Sequence, residues 1–496
     1  MLQSLVSAAT ERLRGYTVQQ VLFAVFGTIT AVSAFAATKF EQPILLIIPA
    51  ALLVAFQFIV DFRPLFFLLI ACIPLSVEFN FTPSLGTDLP IEPLIIGLMF
   101  AYFGFLLSGT KRWSMQVIKH PILLLLLLHF LWSAMATVNS GAPLLSVKWL
   151  LAKLWYISTF TFLGLELLRE ERDFRRLYWF LSVPLVFTAL WVLSRQMSSG
   201  FSFEYDDTAM GPFYRNHVNY AATLSIASPF LFFGYQWFKG HKWSKLLWFA
   251  SLLITLMGIQ FSYTRAAYIA LAMAVGVYYI VRFRLMKHTL LVTSFAAIIG
   301  VGYLVYDNNY MKFAPNFEKT IVQDNFNDLV SSTYKLQDIS TMERVNRWVA
   351  GAHMVADRPL MGYGPSCFYT FYKKYLVARF RTYVTRNNEH STAHCYYLLM
   401  MIEQGFIGFL IWVALVFGIL ISGERIYHQT DNENRRRVVL MALLSQTIIF
   451  AFLLINDMIE TDKVGSFFFL NIAILVNCDM LNKRDREEIA VEEAII

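Results

Sequence analysis

Apolar runs long enough to cross a bilayer recur along this chain from Val21 to Leu481, separated mostly by short polar loops. A crossing helix needs about 20 predominantly apolar residues. Fourteen stretches meet or approach that length: 18–37, 42–60, 64–79, 92–108, 121–138, 149–167, 177–195, 217–237, 244–261, 265–282, 288–306, 395–421, 438–456 and 464–482, the third being the weakest. The pattern predicts an all-α polytopic membrane protein of about 14 transmembrane helices with one large, partly helical extracytoplasmic loop. Residues 1–306 would carry helices 1–11, residues 307–393 the loop, residues 394–482 helices 12–14, and residues 483–496 a short charged cytoplasmic tail.

The charges in the short loops set the orientation. With the N-terminus inside, the inner loops hold Arg63; Lys111, Arg112 and Lys119; Arg169, Arg172, Arg175 and Arg176; Lys239, Lys242 and Lys245; Arg282, Arg284 and Lys287; Arg425, Arg435, Arg436 and Arg437; and Lys483, Arg484 and Arg486. The short outer loops, such as Val77–Glu92, Asn139–Ala142 and Asp457–Asp462, are acidic or neutral. Cations favour the cytoplasmic side of a membrane protein, and one miscounted span would invert everything after it. The alternation holds to the C-terminus, so both termini are expected inside and the long segment 307–393 outside.

Composition agrees with a membrane class. Of 496 residues, 57% are hydrophobic and 15% charged, a balance soluble domains seldom reach. The net charge of +7 is carried mostly by inter-helix loops, so it reports topology and not a nucleic-acid surface. The polar, basic N-terminus (Arg12, Arg14) shows no cleavable signal peptide, and the first apolar run is expected to be retained. Four cysteines without a CxxC pair imply neither a zinc site nor a disulfide framework. Cys367 and Cys395, both expected outside, are the one pair that could bridge.

The long outer segment carries its own folding signals. Ser340 and Glu343 have capping-box spacing, which predicts a helix from about Thr341 to Asp357 ended by Pro359. Gly362-Tyr363-Gly364-Pro365 predicts a tight turn. The aromatics Phe368, Tyr369, Phe371, Tyr372 and Tyr375 are either a headgroup-level belt or a platform for sugar rings.

Several polar residues stand where insertion rules disfavour them. Arg265 opens an apolar helix at its outer end, with Thr264 as cap, where both the positive-inside bias and the helix dipole oppose a cation. A bound anion explains that placement; snorkelling to the interface is the plainer alternative. Arg215 and His217 precede another span on the same face. His217 is either a second acid/base group or a polar helix start. Arg344 and Arg347 share one helix face and suit either a diphosphate or an acidic neighbour such as Glu343. His394 lies where the outer segment re-enters the membrane and could take a proton from a hydroxyl. His390 stands four residues before it, but Glu389 precedes that pair, so no HExxH zinc motif exists. Lys148 and Lys153 flank or enter the sixth span. Lys153 is the odder, able to neutralise phosphate or to pair with Asp457, Glu460 or Asp462.

Taken in order, Gly211-Pro-Phe-Tyr-Arg-Asn-His-Val-Asn-Tyr-Ala-Ala, Ser262-Tyr-Thr-Arg-Ala-Ala-Tyr, Arg344-Val-Asn-Arg-Trp with Asp357-Arg-Pro-Leu-Met-Gly-Tyr-Gly-Pro, and Ala393-His-Cys-Tyr-Tyr-Leu-Leu-Met-Met-Ile-Glu-Gln-Gly resemble the O-antigen ligase and polysaccharide polymerase family of bacterial membrane glycosyltransferases. The similar region is about 210–475. The resemblance implies transfer of a glycan from undecaprenyl diphosphate to an acceptor hydroxyl at the periplasmic face of the inner membrane, without metal or other cofactor. The acceptor would be a glycan or a glycolipid such as lipid A-core. Arg265 and Arg215 would engage the diphosphate and His394 would be the base. The full expectation assigns His394 and Arg265 to catalysis, and Arg215, His217, Arg344, Arg347 and Lys153 to substrate binding. Two departures from the family pattern are the count of fourteen spans, against about twelve, and Cys395 where an Asn commonly follows the histidine. A polymerase of the same family and a lipid-linked sugar transporter are the competing readings. A transporter should carry polar groups at mid-membrane on several broken helices.

Overall fold

The computed structural model describes residues 18–42, 45, 47–82, 85–109, 115–202, 206–238, 240, 242–315, 338–382, 385 and 391–495. Arg12, Arg14, Lys111, Arg112, Lys239, Glu389 and His390 lie outside the described residues. The chain forms two compact units, Met1–Phe66 and Phe67–Ile496. The first holds two apolar helices, α1 (Val18–Lys39) and α2 (Ile47–Val60).

α3 (Arg63–Cys72) runs across the boundary and stops well short of the expected span 64–79. Val77 and Phe79 alternate with Glu78 and Asn80, a period of two, and this stretch is a strand. It pairs antiparallel with a second strand to make a hairpin, β1 (Val77–Thr82) and β2 (Leu85–Leu89), with Val77 opposite Leu89.

The remaining described elements are helical. In chain order they are α4 (Ile91–Leu107), α5 (Pro121–Val138), α6 (Pro143–Leu167), α7 (Glu171–Ser198), α8 (His217–Trp237), α9 (Lys242–Phe261), α10 (Arg265–Arg282), α11 (Met286–Val305), α12 (Ile339–Asp357), α13 (Tyr396–His428), α14 (Glu433–Phe452) and α15 (Asp462–Ile495). Short helical turns join some of them. A helix lies within each of the fourteen apolar stretches. Among the described residues, eight helices have the length and hydropathy of a crossing: α5, α6, α7, α9, α10, α11 with the turn to Phe313, α13 and α15. This is an all-α polytopic membrane protein with one small hairpin.

Burial sorts the helices. α8 and α14 are buried along most of their length and pack against each other, and α15 packs on both. A helix apolar on every side belongs in such a core. α11 instead leaves Leu291, Phe295 and Ile298 bare, as lipid contact requires. The sixth helix is π-helical over Ile157–Leu163, a widened turn often found at functional positions. The expected tail is no separate segment. α15 continues through it, with Arg484 and Glu488 paired at 3.4 Å one turn apart.

α13 is broken near its outer-segment end. Gly405 has φ +69° and ψ −177°, and a Cβ there would collide with the Leu360 carbonyl. The break frees backbone groups that a membrane interior cannot hydrate, so they must be satisfied by protein. The outer segment does this. Phe406 N–H donates to the Pro359 carbonyl (2.7 Å), while Tyr363 and Gly364 N–H donate to the Ile402 and Glu403 carbonyls (3.0 and 2.8 Å). Gly362, also at positive φ, lies against the Glu403 backbone, where a Cβ would approach to 2.5 Å. The expected turn at Gly362–Pro365 is thus docked into a membrane helix.

Candidate active site

The cap of α12 lies two residues earlier than the spacing of Ser340 and Glu343 suggested. Asp338 is the cap: its Oδ2 accepts from Thr341 N–H at 3.0 Å and from Thr341 Oγ1 at 2.6 Å. Ser340 lies within the helix. Glu343 turns away from the helix start to accept from Thr382 and from Thr385 Oγ1 (2.8 Å), and faces Arg347 at 3.9 Å. An aspartate two residues upstream outcompeted serine because an ionised carboxylate both caps and complements the helix dipole. The far end, at Asp357 before Pro359, is where the sequence predicted it.

The same Asp338 carboxylate reaches Arg265 at 3.5 Å. Arg265 is the first residue of α10, behind Thr264 at the cap position. Thr264 makes no capping bond there; its hydroxyl lies 3.1 Å from the Ser262 carbonyl and 3.4 Å from that of His217. That last contact sets the start of α8 beside the start of α10. Asp338 therefore ties the outer-segment helix to the membrane helix that presents Arg265.

His394 sits at a left-handed backbone position, φ +51°, just before α13. The segment around it is fixed on both sides. Trp348 Nε1 donates to the Ala393 carbonyl at 2.9 Å, Tyr396 N–H donates to the Leu453 carbonyl at 2.9 Å, and Thr392 Oγ1 donates to Asp457. The Asn456 side chain lies beside its ring, while Nδ1 is buried with no hydrogen-bond partner among the described residues. Burial, then the Arg344 and Arg347 charges, push the imidazole down to about 3, opposed by the Asn456 side chain. The ring is therefore neutral. Arg344 is itself pressed below its ordinary range by burial and by its neighbours Arg265 and Arg347, with Asp338 acting the other way. Its Nε is buried without a partner among the described residues, as are both amide atoms of Asn346. Asp457 is held up by burial, against its bond from Thr392.

Arg265, Arg344, Arg347 and His394 thus converge from three elements, α10, α12 and the entry to α13. The other expected substrate-binding residues stand apart from that cluster to different degrees. Arg215 is exposed, one residue before the α8 cap Asn216, and makes no ion pair with a described residue. His217 Nδ1 lies 2.6 Å from Asp207, whose carboxyl that bond holds low. Lys153 is 6% exposed inside the bundle, paired with Glu460 at 3.0 Å and lying over the Trp149 ring at 5.0 Å. Tyr396 donates to the same Glu460 oxygen at 3.0 Å. Of the acids anticipated as partners for cations, Glu460 takes Lys153 and Asp457 faces the Arg347 charge.

Other expectations resolve locally. Phe368 and Tyr372 are buried and stacked at 4.9 Å, forming a small core of the outer segment, while Tyr369, Phe371 and Tyr375 are half-buried. Tyr375 donates to Asp357 at 2.7 Å. Cys367 and Cys395 are free thiols, and Cys367 lies 3.3 Å from Ser140 Oγ. The sequence reading missed Asp338 and Asn456. The only hint of Asp338 was an acid at capping distance from Thr341; for Asn456, in a turn 62 residues from His394, it held none. It also missed Glu403, whose carboxylate accepts from Ser366 and Phe368 N–H at 2.8 and 3.0 Å and pins the outer segment to α13.

Residues 249–413 match the O-antigen ligase family. The matched stretch contains Arg265, Arg344, Arg347 and His394 and excludes Lys153, Arg215 and His217. The resemblance read from the motifs is borne out over this stretch. No curated protein matches the chain.

Proposed function

Starting from that O-antigen ligase match, which implies a glycosyltransferase of ligase or polymerase type, we propose a ligase-type enzyme. It moves a glycan from undecaprenyl diphosphate to an acceptor hydroxyl at the periplasmic face of the bacterial inner membrane, without a metal. The carrying observation is a cluster in which Arg344 and Arg347 face one neutral histidine and Arg265 stands beside Arg344.

The donor is already activated, since diphosphate is a good leaving group. The acceptor oxygen attacks the anomeric carbon, the bond from that carbon to the diphosphate oxygen breaks, and the electron pair leaves with the diphosphate. Arg265, Arg344 and Arg347 stabilise the negative charge that develops there. The hydroxyl proton passes to the His394 ring. One direct displacement inverts the anomeric centre. Arg215 and His217, at the entry to α8 beside the α10 start, extend the donor contact. Lys153 acts through Glu460 and Tyr396, supporting the base of the site, and does not touch the phosphates.

The donor also activates the base. Burial first, and then the Arg344 and Arg347 charges, make His394 a poor proton acceptor. A bound diphosphate offsets the arginine part of that effect and raises the ring's proton affinity. Proton abstraction is thereby coupled to donor occupancy.

Transfer assays in membranes test this. His394→Ala should lower transfer by about 100- to 10,000-fold at unchanged protein level. Full activity in that variant would remove the histidine from the chemistry. Chelation by EDTA should leave the rate unchanged. In a deletion host, surface polymer lost with long carrier-linked polymer intact marks a ligase, and carrier-linked single repeats mark a polymerase. Loss of glycan flux to the outer face without loss of transfer by solubilised protein marks a transporter.

A further inference from the structure

We propose that the outer segment docks on the bilayer through a patch of ring-mounted cations, Arg358, Lys373 and Lys374. The patch binds the phosphodiester headgroups of anionic phospholipid in the leaflet it faces. This needs only the membrane and not the transfer reaction. From Arg358 to Asn388 the chain carries six cations, Arg358, Lys373, Lys374, Arg379, Arg381 and Arg386, and no Asp or Glu. Long loops cross a membrane largely regardless of charge, so insertion neither forbids nor explains this run. Arg386 lies outside the described residues. The other five are exposed and make no ion pair with a described residue. Asp357, the acid next to the run, accepts instead from the Tyr363 and Tyr375 hydroxyls, the second at 2.7 Å.

Two contacts set the height of the patch. Phe371 lies against Gly141 in the turn between α5 and α6, where a Cβ would meet the ring at 2.7 Å. The apolar side chains flanking that turn, Val138 and Leu144, are 81% and 83% exposed, at the ends of two crossing helices. On the other side Phe406 N–H donates to the Pro359 carbonyl, and Leu360 and Phe406 are bare beside that bond. The patch thus adjoins lipid-facing side chains at two places and stands at headgroup level, where aromatic rings collect.

The rings there are platforms, but for cations. Arg358 lies over Tyr363 at 4.6 Å, Lys373 over Tyr369 at 5.1 Å and Lys374 over Phe371 at 5.9 Å. Tyr363 and Phe371 pack at 5.2 Å, so Arg358 and Lys374 cap neighbouring rings. A ring face holds a cation in place without neutralising it. These contacts favour the headgroup belt over the sugar platform for this aromatic stretch. An exposed cation held at that depth meets lipid phosphate first. Each Lys or Arg near an anionic surface strengthens binding by about fivefold, and salt weakens it. The Pro359–Gly364 stretch that enters the break in α13 follows Arg358 directly, so headgroup binding braces that dock from the membrane side. A cation that only snorkels reaches the interface of any bilayer and shows no headgroup preference.

The test uses the full chain in neutral vesicles, with a bimane label on Thr370→Cys, an exposed position between the rings. Protein without that cysteine serves as the blank. Phosphatidylglycerol or phosphatidylcholine, each with a nitroxide near the top of its acyl chain, is titrated in and quenching is read. Phosphatidylglycerol should reach half-quenching at a mole fraction about tenfold lower, and about 0.5 M salt should shrink the gap. Arg358→Gln with Lys373→Gln and Lys374→Gln should bring the two lipids level. Arg358→Lys with Lys373→Arg and Lys374→Arg keeps the charges and should keep the preference. Equal quenching by both lipids in the unsubstituted patch, or a preference that survives the glutamine variant, would overturn the proposal. So would quenching by neither lipid together with a bimane shift on adding a soluble phosphorylated oligosaccharide or an acidic peptide. None of these readouts depends on transfer activity, so failure here leaves the active site's assignment standing.

Discussion

At the scale of single residues, the account turns on charges that insertion disfavours. Arg265 sits at the positive end of a helix dipole, where a guanidinium is disfavoured and an anion nearby offsets the repulsion. In the present state that anion is Asp338, at 3.5 Å. A diphosphate has to share Arg265 with this carboxylate or displace it. Asp338→Asn keeps a good capping oxygen for α12 and removes the competing charge. Donor KM should fall several-fold in steady-state transfer, with the thermal midpoint nearly unchanged. A rise in KM would mean Asp338 orients Arg265 for the donor. Arg265→Lys should lose about 100- to 1,000-fold in kcat, since an ammonium lacks the planar fork. The histidine gives a pH signature of its own. An ordinary imidazole protonates near 6.5, but burial and two arginines push His394 down to about 3. Reactions limited by free enzyme should show no acid limb from this group between pH 7 and 5. The kcat profile, which reports the loaded enzyme, should show its limb at higher pH. A common limb near 6.5 in both would contradict the shielding.

At the scale of elements, the decisive object is the break in α13. Gly405 lets the helix open and the Pro359–Gly364 stretch dock into the opening. Gly405→Ala forces a side chain into a φ reserved for glycine and against the Leu360 carbonyl. It should destabilise the protein by about 1–3 kcal/mol, read as a lowered thermal midpoint in detergent. Activity should fall with it, because the same docking carries His394 and α12. Lys153 and Glu460 make a second element-level test. Lys153→Met leaves the carboxylate without its cation and should lower the midpoint more than Lys153→Met with Glu460→Gln. Much at this scale was legible beforehand. The apolar runs set helix positions, and α8 and α12 ended at the residues expected. What escaped were features decided by tertiary contact. The third span looked helical by hydropathy until the two-residue alternation at Val77–Asn80 took over. The cap of α12 moved from Ser340 to Asp338 because Arg265, 73 residues away, rewards a carboxylate there. Glu403, one of the last residues of a membrane helix before its break, reads as an oddity in sequence and is in fact the clasp for two loop amides.

At the scale of the whole molecule, the N-terminal half resembles the family only in hydropathy, and the family match begins at residue 249. The clustered cations Arg265, Arg344 and Arg347 fall inside the match. Of the candidates outside it, Lys153 and His217 have protein partners in Glu460 and Asp207, and Arg215 is exposed. The sequence could nominate Arg265, Arg344, Arg347 and His394 one at a time, since each broke a local rule. It could not show that four residues spread over 130 positions meet, nor that Asn456 faces the histidine. The membrane core also holds polar residues that hydropathy hid, such as Gln446 and Asn471, both buried in the bundle. Their presence makes the distinction from a transporter an experimental one. The most direct measurement is single-turnover transfer by the purified protein in proteoliposomes, with an undecaprenyl-diphosphate glycan as donor and an acceptor glycolipid present. The account predicts that glycosylated acceptor and free undecaprenyl diphosphate appear in equal amounts, and that His394→Ala and Arg265→Lys each reduce the rate at least 100-fold while still inserting normally. Unimpaired turnover in either variant, or movement of the intact donor across the bilayer with no bond broken, would contradict it.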